Sequence, residues 1–403
     1  MAAEPRSTEY AGVRAVVVGG SIGGLTSALL LRGLGFDVDV FERTPTALDN
    51  RGGGIVLQPM TMKWFDDRDA RRIEGLSTRS VRLQYLGRSD QVIHCRPWET
   101  RCASWGTVYR ALLADFGPER YHLGEFCVGF SQDADRVELR FTTGRTERAD
   151  LVVFADGVTS TARRRLYPQL KPEYSGYVGW RGTLREDRVG AGTRGLLADS
   201  LTYSVGENTH AVLYTIPGMD GELRQGRRLL NFVWYRNVDD GPQLQEMTTD
   251  VRGCQAEVSL HPGSVQRRYI DEMRAAATRQ LAPAVAEVIT GTEQPYLQIV
   301  ADVRIPAMAH GRIAVIGDAA FTARPHPAAG SAKAAADAWA LYEHLRSGDG
   351  DIAAALRAWE PEQLDLGNRL VDRAAAMGAR SQVANTWFPG DPDLLPGLYG
   401  PGC

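Results

Sequence analysis

The sequence predicts an α/β protein (α+β in its two domains): a unit that opens on a strand–helix–strand (βαβ) motif, and a sheet-rich second domain inserted into it in sequence. Three observations predict it. A strand, a glycine loop, a helix and a second strand follow one another near the N-terminus; strand-like segments separated by turn signals fill the middle; and a buried strand with an alanine-rich helix returns near the C-terminus. The length of 403 residues suits two or three domains at roughly 150 residues each, with ample apolar material for large cores.

The first unit opens with Arg14-Ala15-Val16-Val17-Val18, a short apolar β-branched run of the kind that forms a buried strand. Gly19-Gly20-Ser21-Ile22-Gly23-Gly24 follows, then an apolar helical stretch from Leu25 to about Leu34 that Gly35 breaks. Asp37 to Glu42 is the second strand, and a turn-rich segment runs on through Arg51-Gly52-Gly53-Gly54. Between about Gly176 and Ile299 the strand-like stretches include Leu201 to Val205, Ala211 to Ile216 and Leu229 to Tyr235. Arg312 to Ile316 is another buried strand, ending in Gly317-Asp318; a Pro/Gly loop and a helix from Ser331 to Leu345 come next. Beyond about Thr386 the chain is rich in Pro and Gly and reads as irregular structure.

Composition narrows the function. Hydrophobic residues make up 43% and charged residues 24%, ordinary for a globular chain and unlike a disordered, collagenous or coiled-coil one. A net charge of -3 offers no broad attraction to nucleic acid. Apolar runs such as Ala15 to Val18 fall far short of the roughly 20 residues that cross a bilayer, and Met1 to Gly12 lacks the apolar core of a secretory signal. The expected address is the cytoplasm, with no membrane partner. The five cysteines (Cys95, Cys102, Cys127, Cys254, Cys403) are scattered without a CxxC, and the seven histidines form no cluster at ligand spacing, so reduced structural thiols and no metal are expected.

The spacing Gly19-x-Ser21-x-x-Gly24 approximates the dinucleotide fingerprint, in which small residues let the backbone approach a pyrophosphate at a helix N-terminus. Ser21 replaces the middle glycine. Glu42 stands at the end of the second strand, about twenty residues on, where a carboxylate accepts hydrogen bonds from an adenosine ribose. The plain alternative is a glycine turn that binds nothing. The same residues also spell a formal GxSxG nucleophile elbow centred on Ser21, with Asp318 and His344 in triad order. That hydrolase needs an oxyanion loop from an earlier strand, and only a short polar arm precedes Arg14.

Two later segments add specificity. Leu151 to Phe154 is a buried strand leading into Ala155-Asp156-Gly157, an acid-glycine turn before a helix start, and Asp318 ends a strand where open α/β sheets bind ligands. Taken in order, the three motifs resemble the single-component flavoprotein aromatic hydroxylases, the p-hydroxybenzoate hydroxylase-like group, across nearly the whole chain. The resemblance implies a discontinuous Rossmann-like FAD-binding domain (1–75, 101–175 and 297–385), a substrate-binding domain (76–100 and 176–296) and an irregular tail (386–403). It places the ADP half of FAD against Gly19, Ser21, Gly24 and Glu42, with Ile22 and Arg43 beside them, and makes Asp156-Gly157 the DG motif. Gly317-Asp318 becomes the GD motif, whose aspartate bonds the ribityl chain, and Pro325 and Gly330 edge the flavin ring. Amides after Gly330, at Ser331 and Ala332, then offer positive potential to the flavin. Phe321, Ala329 and Trp105 depart from the usual histidine, glutamine and arginine. The stretch from Arg324 to Ala334 looks like the branch of the family that hydroxylates dihydroxypyridines, as do Gly176 to Gly182, Phe116 to His122 and Asn231 to Tyr235.

In such a family NADH or NADPH reduces FAD, O2 adds to give a flavin hydroperoxide, and its distal oxygen attacks an electron-rich ring. The protein excludes water, positions the ring and favours ionisation of a ring hydroxyl. One dinucleotide fingerprint suits a nicotinamide that visits transiently. The expected substrate is a small hydroxylated heteroaromatic ring like 2,6-dihydroxypyridine. Alternatives are a larger phenolic or aromatic biosynthetic metabolite, a flavin-binding protein without oxygenase activity, and the Ser21 hydrolase; a homodimer is a family expectation. His326, restrained by Pro325 and Pro327, is a candidate substrate contact or a surface turn residue. His210 and Tyr214, four apart on a strand, share a face and are candidate contacts or core. Trp180, Trp234 and Tyr235 could wall an aromatic pocket, with only one of Trp234 and Tyr235 facing it. Lys333 either attracts an anion or is a solvated helix cation, and Arg181 and Arg110 are family-suggested positions that could equally pair with carboxylates.

Overall fold

Valine-rich runs buried on both faces are what a parallel sheet between helices requires, and the computed structural model, which describes residues 9–48 and 53–403, builds one from them. Arg14–Val18 sits in the middle, parallel to Leu151–Phe154 on one side and Asp37–Glu42 on the other; Ile313–Val315 and Tyr121–Leu123 extend the sheet in parallel. Ala309–His310 closes one edge antiparallel. The first helix, Ile22–Gly33, begins three residues before the expected Leu25, because the chain turns into it directly at Ser21. Gly35, at φ +100°, ends it in a conformation that favours glycine. The expected alanine-rich helix is Gly330–Ser347, and a further helix, Ile352–Gln382, spans 31 residues.

The middle of the chain forms a large, mostly antiparallel sheet. Its order is Ser259–Leu260, Tyr296–Arg304, Glu173–Arg185, Leu229–Asn237, Thr209–Ile216, Ser200–Gly206, Thr78–Leu86, Val92–Ser104 and Gly54–Leu57. Alternation of side chains gives it two faces. One packs Trp180, Phe232 and Trp234 against the helices Arg267–Gln280 and Pro283–Gly291. The other carries Tyr177, Arg181, His210, Tyr214, Asn231 and Tyr235, and meets the loop after Asp318 and the C-terminal half of the long helix.

Sheet membership runs across the expected domain boundaries. Tyr296–Arg304, assigned from residue 297 onward to the FAD-binding part, pairs with Glu173–Arg185 in the large sheet, and Phe321–Thr322 pairs onto it. Gly54–Leu57 and the end of Val92–Ser104 belong there too, pairing with each other. Backbone pairing follows hydrogen-bond partners far away in sequence, which local pattern does not register. The tail after Thr386 has one short turn, Pro392–Leu394, but it is not peripheral: Trp387, Leu394, Leu395 and Leu398 are buried. Of the expected turn segment Arg51 to Gly54, Arg51 and Gly52 lie outside the described residues, as do residues 1–8 of the N-terminal arm. Among the described residues no helix is long and apolar enough to cross a membrane.

Candidate active site

The three motifs converge on one cleft at the C-terminal ends of the parallel strands. It is lined by Gly19, Ser21, Ile22, Glu42, Arg43, Asp156, Gly157, Gly317, Asp318, Gly330 and Ser331, together with Leu48, Trp105, Glu125, Phe126 and Cys127, which the motifs did not indicate. Three of the fourteen expected cofactor residues stand off its wall. Gly24 works from behind: a Cβ there would lie 1.9 Å from the Gly19 carbonyl oxygen, so its role is to let helix and loop close up. Ala332 turns into an apolar cluster with Leu366 and Leu370, and Pro325 lines a neighbouring cleft with Thr322 and Ala323.

Gly19, at φ +103°, presses on the acid-glycine turn so closely that a Cβ would fall 2.3 Å from the Ala155 carbonyl oxygen. Glu42 is buried; Oε2 accepts from the Gly20 amide at 2.9 Å, while Oε1 accepts from the amide and hydroxyl of Thr44, both at 3.0 Å. Arg43 reaches across the cleft to donate to Thr159 Oγ1 at 2.6 Å. Asp156 caps the helix Thr161–Leu166 by accepting from the Thr161 amide at 2.7 Å, and burial raises its pKa. Arg163 ties the second motif to the third, donating to the carbonyls of Val158, Asp318 and Ala319. Asp318 is open to solvent along the cleft yet ringed by protein, which pushes its pKa up to about 6 against the opposing pull of Arg163 and Lys333.

Lys333 is neither a solvated cation nor aimed at a ligand. It is buried and bonded to Asp337 at 2.5 Å; Asp337 Oδ2 in turn accepts from the Gly317 amide at 2.9 Å. The pair braces the third motif from inside. Ser21 begins the first helix without a side-chain cap bond, beside the N-terminus of Gly330–Ser347. His344, fourteen residues along that second helix, is roughly 20 Å from its start at 1.5 Å per residue, so the hydrolase triad does not assemble.

A second, aromatic region lies under the loop after Asp318. His326 is buried there, its Nε2 2.7 Å from the Tyr177 hydroxyl, and its ring 4.6 Å from Tyr235 and 5.2 Å from His210. Nδ1 of His326 has no partner among the described residues. His210 Nδ1 meets Ser381 Oγ at 2.5 Å and its ring stacks on Trp387 at 4.5 Å. Burial drives His326 well below the ordinary histidine range, with His210 and Arg324 adding to it, and holds His210 at about 3, so both are neutral at neutral pH. His210 and Tyr214 do share this face, and Tyr235 joins them; Trp180 and Trp234 point the other way, into the helix-backed core, because strand alternation sends Trp234 opposite to Tyr235. Trp387 was missed altogether, since a Pro/Gly-rich tail gives no periodic signal. Gln58 was missed too: its Nε2 donates to the carbonyls of Pro327 at 3.1 Å and Ala328 at 2.7 Å, holding the loop at a point where Ala328 takes φ +53°.

The cleft fits a flavin dinucleotide on its own chemistry. Two helix N-termini point into it, Gly19 makes a cradle that any Cβ would close, and Asp156 Oδ1 is a buried acceptor with no partner among the described residues. A family model described as FAD binding domain-like matches residues 174–302, a stretch that here builds most of the large sheet. The chain is 37% identical over 386 residues to 2,6-dihydroxypyridine 3-monooxygenase of Paenarthrobacter nicotinovorans, covering 96% of each chain. It is 27% identical to 6-hydroxynicotinate 3-monooxygenase of Bordetella bronchiseptica, covering 93% of this chain and 92% of the relative. The solved 2,6-dihydroxypyridine-3-hydroxylase from Arthrobacter nicotinovorans superposes with a TM-score of 0.90 at 36% identity over 96% of both chains. A Klebsiella pneumoniae protein complexed with FAD and uric acid shares the fold, with a TM-score of 0.76 at 24% identity over 93% of this chain and 90% of that one. Motifs, cleft and full-length likeness agree: the chain belongs to the FAD-dependent aromatic-ring monooxygenases, oxidoreductases that use FAD, NADH or NADPH, and O2.

Proposed function

We propose that this enzyme hydroxylates a small hydroxylated heteroaromatic ring of the 2,6-dihydroxypyridine kind, the substrate in the name of the 37% identical relative. The observation that carries the reading is the buried histidine under the loop: His326 faces Tyr235 and His210 and keeps Nδ1 unpaired among the described residues. In this reading FAD binds along Gly19, Ser21, Ile22, Glu42, Arg43, Asp156, Gly157, Gly317 and Asp318, with its ring end at the loop from Pro325 to Ser331. Bound there, it supplies hydride acceptance and oxygen activation.

The rest falls to the chain's own side chains. Neutral His326 accepts a hydrogen bond from a ring hydroxyl at Nδ1 while Nε2 stays bonded to Tyr177, which orients the ring and draws electron density toward its carbons. Tyr177 remains protonated, because burial raises its pKa. Tyr214 and Tyr235 pack the ring against the sheet, and Trp387 and the Gln58-held loop keep water out. The same reading carries a cytoplasmic setting and a homodimer as expectations of the family, and a small aromatic molecule rather than nucleic acid as the partner. Aerobic NADH oxidation by FAD-loaded enzyme, with and without 2,6-dihydroxypyridine, tests it. Stimulated consumption matched by hydroxylated product supports the reading, and no stimulation overturns it.

A further inference from the structure

On the face of the large sheet that meets the nucleotide-binding unit, three donor groups stand together with N–H or O–H capacity to spare. Nε of Arg181, Nδ2 of Asn231 and the hydroxyl of Tyr296 are buried atoms with no aligned hydrogen-bond partner among the described residues, although the Arg181 guanidinium lies close enough to the Tyr296 oxygen to pull its pKa down against the effect of burial. Their strands are neighbours: Arg181 registers with Tyr296, and Asn231 lies on the strand along the other side of Arg181's. Gly53 and Gly54 mark where they meet: a Cβ built on Gly53 would lie 2.8 Å from the Tyr296 hydroxyl, 3.2 Å from Asn231 Oδ1 and 3.8 Å from Arg181 Nη1, and one built on Gly54 would lie 2.9 Å from Asn231 Nδ2.

The orientation of Asn231 is fixed by chemistry. Its Oδ1 accepts from the Gly54 amide at 2.7 Å, so a flipped side chain would set two donors against each other, and Nδ2 necessarily carries the two unused N–H groups. Asn231 is only 1% exposed, and a buried amide left unpaired costs about 1–3 kcal/mol. No carboxylate of the described residues pairs with Arg181, unlike Arg228, which is buried against Glu186 and Asp199, or Arg324 against Asp302. A guanidinium, an amide and a phenol are all donors, and what completes them is an oxygen carrying negative charge.

The cluster also lies where a ring would. Tyr214 presses on Gly54, with its ring 2.7 Å from a Cβ built there. From Gly54 the short strand Gly54–Leu57 runs to Gln58, which grips the loop carrying His326.

We propose that Arg181, Asn231 and Tyr296 form a three-donor cradle for an oxyanion or ring carbonyl oxygen of the substrate, so that the enzyme selects heteroaromatic rings in their ionised, oxygen-bearing form. The proposal rests on the substrate reading above and deepens it: His326 accepts a hydrogen bond on one side of the ring, and the cradle holds the charge on the other. It needs no group beyond those named.

Binding of 2,6-dihydroxypyridine to the FAD-loaded enzyme without reductant, followed by perturbation of the flavin visible band, tests it. Pyridine, which bears no ring oxygen, is the control ligand. Asn231→Asp keeps the bond from the Gly54 amide but turns the free donors into an acceptor; Tyr296→Phe keeps the ring and removes the hydroxyl; Arg181→Met removes the cation. Each is expected to retain FAD and to raise the dissociation constant for dihydroxypyridine, by about tenfold or more for Arg181→Met and Asn231→Asp and about threefold for Tyr296→Phe, with pyridine binding unchanged. Wild-type affinity is expected to rise with pH as the ring hydroxyl ionises, and Arg181→Met to lose that dependence. Should Arg181→Met lose FAD, the other two variants decide. Wild-type affinity in the variants, with substrate-stimulated NADH oxidation intact, overturns the cradle and spares the substrate reading. Absence of both the spectral change and stimulated oxidation in the wild type overturns the reading, and the cradle with it.

Discussion

The cleft at the ends of the parallel strands and the polar and aromatic face of the large sheet are built by opposite means. The cleft is mostly backbone: glycines that admit no Cβ, helix amides, and acids that brace loops. The sheet face is side chains on neighbouring strands, from Arg181, His210, Tyr214, Asn231, Tyr235 and Tyr296, covered in part by His326 of the loop and Trp387 of the tail. A backbone site serves one invariant ligand, because its geometry changes only when the chain path changes. A side-chain site can be retuned one residue at a time, which suits a family that shares a cofactor and varies the ring.

That contrast can be broken by experiment. The largest effect is expected from Gly19→Ala, since its Cβ would fall 2.3 Å from the Ala155 carbonyl oxygen at a φ of +103°. Strain of about 3 kcal/mol should lower FAD affinity by about 100-fold, seen as purification without the yellow chromophore. His326→Ala is the counterpart on the sheet-face side: FAD content should be unchanged while the rate of substrate-stimulated turnover falls by about 100-fold. Loss of FAD from that variant would show that the two regions are not separable. Asp318→Ala should weaken FAD by about tenfold in equilibrium titration and leave the preference among ring substrates unaltered.

The smallest expected effect concerns acid stability. An unfolded histidine titrates near 6.5, whereas folded His210 is held at about 3 by burial. Between those values the unfolded chain binds a proton that the folded chain refuses. Stability is therefore full above the window and lost as pH falls through it, by up to about 1.4 kcal/mol per pH unit. Thermal melts at pH 7.5 and 5.5 should show this loss, and His210→Gln should reduce it by about half, buried His326 carrying the rest; an equal slope in the variant would place the acid sensitivity elsewhere.

The same contrast governs what could be read from sequence. Motifs built on backbone geometry need glycine and an acid at fixed spacing, so Gly19, Glu42, Asp156 and Asp318 were legible one strand at a time. The strands of the large sheet were legible as strands, while their order and the sheet membership of Tyr296–Arg304 were not, since Arg181 and its partner Tyr296 lie over a hundred residues apart. Asn231 and Tyr296 look like ordinary strand residues until the register brings them to Gly53. Lys333 was misjudged because its partner, Asp337, is one helical turn away and the burial of both depends on the long helix. Trp387 lies in a stretch whose composition signals only irregularity, and its ring packing on His210 is purely tertiary.

The most direct measurement is a crystal structure of the enzyme with FAD and 2,6-dihydroxypyridine. The account expects the flavin along the cleft from Glu42 to Asp318, and the pyridine ring between the Pro325–Ser331 loop and the sheet face. One ring oxygen should come within hydrogen-bond reach of His326 Nδ1, and another within reach of Arg181, Asn231 or Tyr296. A ring bound away from that face, with His326 and the three donors untouched, would contradict it.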